Sequence, residues 1–378
     1  MINEITIFYG SKKDFEKYLV KEIDPNENTI PFMELIQHYN ARLRPNESGV
    51  GEDALYENID VDNCIVRADD YGSVLAHVIS NFINIVGLNH DINRLYVHNP
   101  PRRVKESIES YSLATINYQN SKYPELSQET LKEVYSGLNE RVLGQQSCKE
   151  QIISGLYRLM KQSNTKPVVL MLYGMSGVGK TESAKSISSS LGGELLRIQF
   201  SMMQTDEAFN YIFGSEHSKS SFARDMMGRE ANVILIDEFD KVNPTFYNAF
   251  YELFDEGKFS DTNYDVDLGQ AIFLLTSNFA DEDEIQKYLG PAMFSRIGCC
   301  IKYEDLLIEQ KQKIIEGWYD EIFSRLDVRE QKCIEESNIE QWFLDNADRY
   351  DNIRILKAKL ENAIFDKLAM EFIISNDK

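Results

Sequence analysis

The sequence predicts an α/β chain built around a phosphate-binding core, and three observations carry that prediction. The apolar run VVLMLY (168–173) leads directly into GMSGVGKT, Gly174–Thr181. Two later apolar runs, VILI (233–236) and AIFLL (271–275), each end in polar residues, as strands do when their tips line a site. The first 125 residues alternate short apolar runs with helical patterns, whereas beyond Lys302 apolar residues recur at three- and four-residue spacing.

Taken in order, ITIFY, CIVRA and RLYVHN read as strands, and KKDFEKYLVKEI, GSVLAHVISNFINIVG and PPRRVKESIESY as helices, which makes the N-terminal part an α/β domain. RPNESGVGED (44–53) is a polar, turn-rich divider, and Pro100 and Pro101 suit the first turn of a helix. The polar segment YQNSKYPELSQ, with Pro124, marks a boundary before a helical pattern over Leu131–Leu143. Strand, loop and helix then repeat to about Ile301, and LLIEQKQKIIEGWYDEIFSRL and NIRILKAKLENAIFDKLAMEFI continue as helices. The expected division is therefore 1–127, 128–301 and 302–378.

Composition narrows the function. The 378 residues carry a formal net charge of −21 with pI near 4.7, which argues against a nucleic-acid surface, since neutralising phosphates needs clustered Lys and Arg. The start MINEITIFYG lacks a signal-peptide pattern and no run approaches a membrane span, so a cytoplasmic location without membrane contact is expected. Five scattered cysteines and five histidines show no ligand spacing.

The chemistry concentrates in a few motifs. In GMSGVGKT, backbone N–H groups around Met175, Ser176, Gly177, Val178 and Gly179 can approach phosphate oxygens, Lys180 can reach the outer phosphates, and Thr181 offers a hydroxyl to Mg2+, with Glu182 following at the helix start. A nucleoside triphosphate and Mg2+ are the expected ligands. Asp237 and Glu238, at the end of VILI, supply one acid for Mg2+ and a second that can orient and deprotonate water. Asn278, ending AIFLLTSN, can hydrogen-bond that water or the γ-phosphate; its alternative is a turn-forming Asn.

In their order and separation, RVLGQ, GMSGVGKT, VILIDE, TSN and FSRIG resemble the AAA+ ATPases, and KVNPTFYNAFYELFDEGKFSD and YDNIRILKAKLENAI resemble the Clp/HSP100 chaperone branch in particular. The resemblance covers Arg141 to about Phe372 and implies a three-layer phosphate-loop core with a C-terminal helical lid, the N-terminal α/β domain being an addition. It implies Mg2+ at Asp237 and Thr181, Glu238 as general base, Asn278 as first sensor, and adenine contacts from Val142, Leu143 and Gly144. It further implies that Arg296 is an arginine finger acting on a neighbouring subunit and Arg354 a second sensor on the lid. Self-association into a ring or spiral, with a hexamer the expected size, and an unknown protein client or partner follow from the same resemblance.

Two departures from that family leave the load open. Where it carries an aromatic loop that grips threaded polypeptide, this chain has SEHSKSS (215–221), and Phe222 is expected in the core. The stretch from TSN to FSRIG lacks the apolar loop that docks a protease. Asp265–Asp267 falls at a second pore-facing loop of the family or is a solvated hairpin tip, and Arg102, Arg103 and Lys105 read as a solvated helix start. Protein remodelling is the expected function; an ATP-driven oligomeric switch or assembly scaffold without threading is the alternative.

Overall fold

The computed structural model describes residues 1–43, 59–87, 90–161, 166–203 and 205–376. The divider at 44–53 lies outside the described residues. Two five-stranded sheets, each wholly parallel, organise the molecule.

The first sheet holds β1 (Ile2–Tyr9), β2 (Thr29–Pro31), β3 (Ile59–Val66), β4 (His90–His98) and β5 (Thr115–Asn120), in the spatial order β2-β3-β4-β1-β5. Successive side chains go to opposite faces, so Ile5, Ile7, Leu95 and Val97 join one core while Phe8, Ile65 and Tyr96 pack with Phe15 and Leu19 of helix Lys12–Glu22 on the other. Helix Arg102–Glu109 starts after the two prolines, with Pro101 at its N-cap, so they precede the first turn. That placement suits residues lacking an N–H to donate.

The second sheet holds β6 (Val168–Tyr173), β7 (Leu196–Gln199), β8 (Val233–Asp237), β11 (Ile272–Ser277) and β12 (Cys299–Lys302), ordered β12-β6-β11-β8-β7. Between β8 and β11 a small hairpin pairs β9 (Lys258–Ser260) with β10 (Asp265–Asp267). The unbroken apolar runs of the three central strands are explained by burial on both faces. Val169, Met171, Ile234, Ile236, Phe273 and Leu275 face an aromatic-rich core, and Leu170, Leu172, Val233, Leu235, Ile272 and Leu274 face helices Gln128–Arg141, Gln146–Lys161 and Lys180–Ser190. Phe222 is fully buried in the first of these cores. Four helices, Ile308–Phe323, Val328–Glu335, Ile339–Asp345 and Ile353–Asn376, pack around a separate core containing Ile315, Leu356 and Leu360. No described helix is long and apolar enough to cross a membrane.

The N-terminal sheet is docked onto the second unit. Arg102 donates from Nε and Nη2 to the Asp265 carboxylate at 2.8 and 2.6 Å, and its backbone N–H donates to the Asn263 carbonyl at 2.7 Å. Arg224 reaches Asp69 at 3.1 Å, His217 Nε2 lies 2.9 Å from the Val74 carbonyl, and the Arg229 guanidinium stacks 4.6 Å over the Tyr123 ring. This corrects one sequence expectation: Arg102 is an interdomain ion-pair residue rather than a solvated helix-start residue, and its partner Asp265 stays 54% exposed on the hairpin.

Candidate nucleotide site

The phosphate loop leaves β6 and enters helix Lys180–Ser190 through backbone only glycine takes up readily: Gly177 and Gly179 have φ of 90° and 107°. A side chain at Gly177 would also meet the Ile353 backbone N at 3.3 Å, so the loop fits directly beneath the helical domain. The helix N-terminus then presents its orphan N–H groups and positive dipole end to the space above the loop.

That space is a cavity of about 300 Å³ bordered by Ser176, Gly177, Gly179, Lys180, Thr181 and Glu182 from the loop, Asp237 and Glu238 from the end of β8, Asn278 after β11, and Arg354 from helix Ile353–Asn376. Parallel packing of β6, β11 and β8 brings these tips to one edge of the sheet. Lys180 Nζ donates to the carbonyls of Gly174 and Met175 at 2.5 and 2.8 Å and to Asn278 Oδ1 at 3.3 Å. Burial pushes its pKa down to about 8, against the pull of Asp240 and Asp237 and with a further push from Arg354.

The acidic pair is held by its neighbours. Asp237 is almost fully buried; its Oδ1 accepts from the Thr276 hydroxyl, and its Oδ2 accepts from Arg197 Nε at 2.9 Å and Nη2 at 2.5 Å. Glu238 sits in the left-handed region, φ 55°, where its backbone N–H donates to Thr276 Oγ1 at 3.0 Å. An acidic residue tolerates that conformation only with support, and here it swings the carboxylate off the strand axis into the cavity. Glu238 Oε2 accepts from Ser201 at 2.5 Å and Gln199 at 3.1 Å.

Val142 and Leu143 border a second, adjoining cavity of about 510 Å³ that shares Gly177, Gly179 and Glu182 with the first and is walled by Leu306, Ile314 and Trp318. Val178 borders it too, while Met175 contributes its carbonyl to Lys180 and turns its side chain outward. Gly144 does not border either cavity; it lies against Gln310 of the helical domain. Together the two cavities offer a charged compartment beside an apolar one with an aromatic wall.

Arg296 stands apart from both. It follows helix Glu282–Phe294, donates from Nε to Asp255 at 2.8 Å and from Nη1 to the Ala292 carbonyl at 2.7 Å, and lies 4.3 Å over the Tyr251 ring. Sequence reasoning missed Arg197, Lys185, Trp318 and Lys357, which also border the charged cavity. Arg197 lies on the edge strand β7, where a lone arginine reads as surface, and Trp318 belongs to a helical pattern that shows an apolar face but not what it meets.

The donor chemistry suits Mg2+. The Thr181 hydroxyl and Asp237 carboxylate are hard oxygen donors on the same cavity, and such a cation commonly takes one or two protein oxygens with the rest from phosphates and water. No cluster of three or more His, Cys, Asp or Glu competes for a metal among the described residues.

Residues 165–329 match the family model AAA domain (Cdc48 subfamily). A ClpA homolog protein of Fuscovulum blasticum is 32% identical over 180 residues, covering 45% of this chain and 23% of that protein. The chaperone protein ClpB of Wolinella succinogenes is 24% identical over 307 residues, covering 70% of this chain and 35% of that protein. The chain thus spans about a quarter to a third of the length of these curated relatives. A Saccharomyces cerevisiae Hsp104–ADP complex superposes with a TM-score of 0.53 at 19% identity, over 67% of this chain and 50% of that one, which speaks to the fold. Residues 165–329 of this chain are thus an AAA domain, similar in sequence to the Clp/HSP100 proteins ClpA and ClpB.

Proposed function

We propose that this chain hydrolyses ATP with Mg2+ and uses the cycle to remodel a protein client or complex, acting as an oligomer in the cytoplasm. One observation carries the proposal: Lys180, Thr181, Asp237, Glu238, Asn278 and Arg354 border one cavity, while Arg296 lies outside it. In this reading Lys180 and Arg354 hold phosphate charge, Thr181 and Asp237 hold the cation, which neutralises charge on the phosphates, and Asn278 orients water. Glu238 takes the water's proton as its oxygen attacks phosphorus and the bridging oxygen leaves. The adenine occupies the apolar compartment by Val142, Leu143 and Trp318. Arg296 completes the site of a second copy, so the working form is a ring or spiral. The functional units we propose are 1–127 for partner or client binding, 128–301 for nucleotide, and 302–378 as the lid.

Nucleotide binding has an expected pH signature. Lys180 needs its proton to hold phosphate, and adjacent phosphate raises a pKa that burial has lowered to about 8. Affinity is therefore flat below pH 8 and falls above it by up to about tenfold per pH unit, with proton uptake on binding in that window. Calorimetry of ATP-analogue binding in buffers of different ionisation enthalpy checks this; pH-independent affinity between pH 7 and 9.5 would contradict it.

The switch or scaffold alternative is favoured by a specific feature. His217 and Arg224 bond to Val74, Ala68 and Asp69, and Arg102 holds Asp265, so the N-terminal domain is anchored at or beside both segments at which relatives would be expected to touch a threaded chain. The remodelling reading predicts that an unfolded or tagged client stimulates ATPase activity and becomes protease-sensitive. Stimulation without client unfolding would transfer the case to the switch.

A further inference from the structure

We infer that Arg197 competes with the divalent cation for Asp237, so that the metal is admitted together with nucleotide rather than before it; this rests on the nucleotide site proposed above. Asp237 lies at the tip of β8, and Arg197 projects from β7, which pairs with β8 in parallel. Both carboxylate oxygens are engaged. Oδ1 takes the Thr276 hydroxyl, a neutral donor buried inside the protein, and Oδ2 takes two guanidinium N–H groups at 2.9 and 2.5 Å.

The two contacts are not equally replaceable. The Thr276 hydroxyl is neutral and imposes no charge conflict on an incoming cation. Arg197 carries a full positive charge at the oxygen a cation would use, and a guanidinium and a doubly charged ion on one carboxylate oxygen repel each other strongly at partly buried sites. Arg197 is free to yield. Its side chain is 44% exposed against 8% for Asp237, and it borders the same cavity as Lys180 and Thr181. Phosphate in that cavity offers the guanidinium a second anionic partner with matching bidentate geometry. Nucleotide binding therefore releases Asp237 to the metal, and by linkage the metal tightens nucleotide by the same factor.

The test uses the full chain, Mn2+ as the metal and a non-hydrolysable imido analogue of ATP. Electron paramagnetic resonance gives the Mn2+ affinity of the protein with and without the analogue, and calorimetry gives analogue affinity without metal. In Arg197→Gln, Mn2+ affinity without nucleotide should rise about fivefold or more, and the enhancement by nucleotide should shrink correspondingly. Adding Asp237→Asn should abolish that gain. Arg197→Lys keeps the charge but loses the fork and should fall between wild type and Gln, which also serves if Arg197→Gln folds poorly. Unchanged or weakened Mn2+ affinity of these variants in the absence of nucleotide overturns the role of Arg197. Failure of the wild-type protein to bind the analogue at all would instead overturn the nucleotide-site reading beneath it.

Discussion

Arg296→Ala should bind ATP almost as well as the parent protein and lose nearly all turnover. An arginine supplied to the transferring phosphoryl group is worth roughly a thousand- to a hundred-thousandfold in rate, about 4 to 7 kcal/mol of transition-state stabilisation. The geometry separates this loss from a binding defect, because Arg296 does not border its own subunit's cavity and is engaged instead by Asp255, the Ala292 carbonyl and the Tyr251 ring. Those partly exposed contacts are worth on the order of 1 kcal/mol, too little to unfold the core. Steady-state ATPase assays beside analogue titrations check the expectation. Normal turnover in the variant would remove the finger assignment.

Glu238→Gln should give the second large effect, a fall of about a hundred- to ten-thousandfold in hydrolysis, or about 3 to 5 kcal/mol. The substitution preserves size and the ability to accept from Ser201 and Gln199, so the left-handed turn supported by Thr276 should persist. What it removes is the basicity that takes the water's proton. The variant should hold ATP without consuming it, which also makes it a trap for the client, since whatever co-purifies with it was bound in the ATP state. Wild-type hydrolysis by this variant would remove Glu238 as the base.

Much of the fold was legible because strands buried on both faces leave long apolar runs, and VVLMLY, VILI and AIFLL became the three central strands of the second sheet. Glycine spacing likewise announced the phosphate loop, since positive φ at Gly177 and Gly179 leaves few residue choices. Contacts between distant segments were not legible. Nothing local distinguishes Arg102 at a solvated helix start from Arg102 clamped to Asp265, and nothing near Arg197 says that the neighbouring strand tip is an aspartate. Trp318 belongs to the same class: its helix has one apolar face by periodicity, yet only packing shows that this residue walls both cavities. Charge pairs and walls made by residues far apart in the chain come from topology, and a period of two or 3.6 carries no information about them.

The central claim is that each active site is shared between two copies, and mixing two inactive variants tests it most directly. Arg296→Ala retains Glu238, and Glu238→Gln retains Arg296, so a neighbouring pair in the right order assembles one intact site. Each variant alone should be nearly inactive, while an equimolar mixture allowed to exchange subunits should recover ATPase activity approaching about a quarter of the parent's, as random pairing around a closed ring requires. Mixed oligomers that form yet stay as inactive as their components would contradict a shared site.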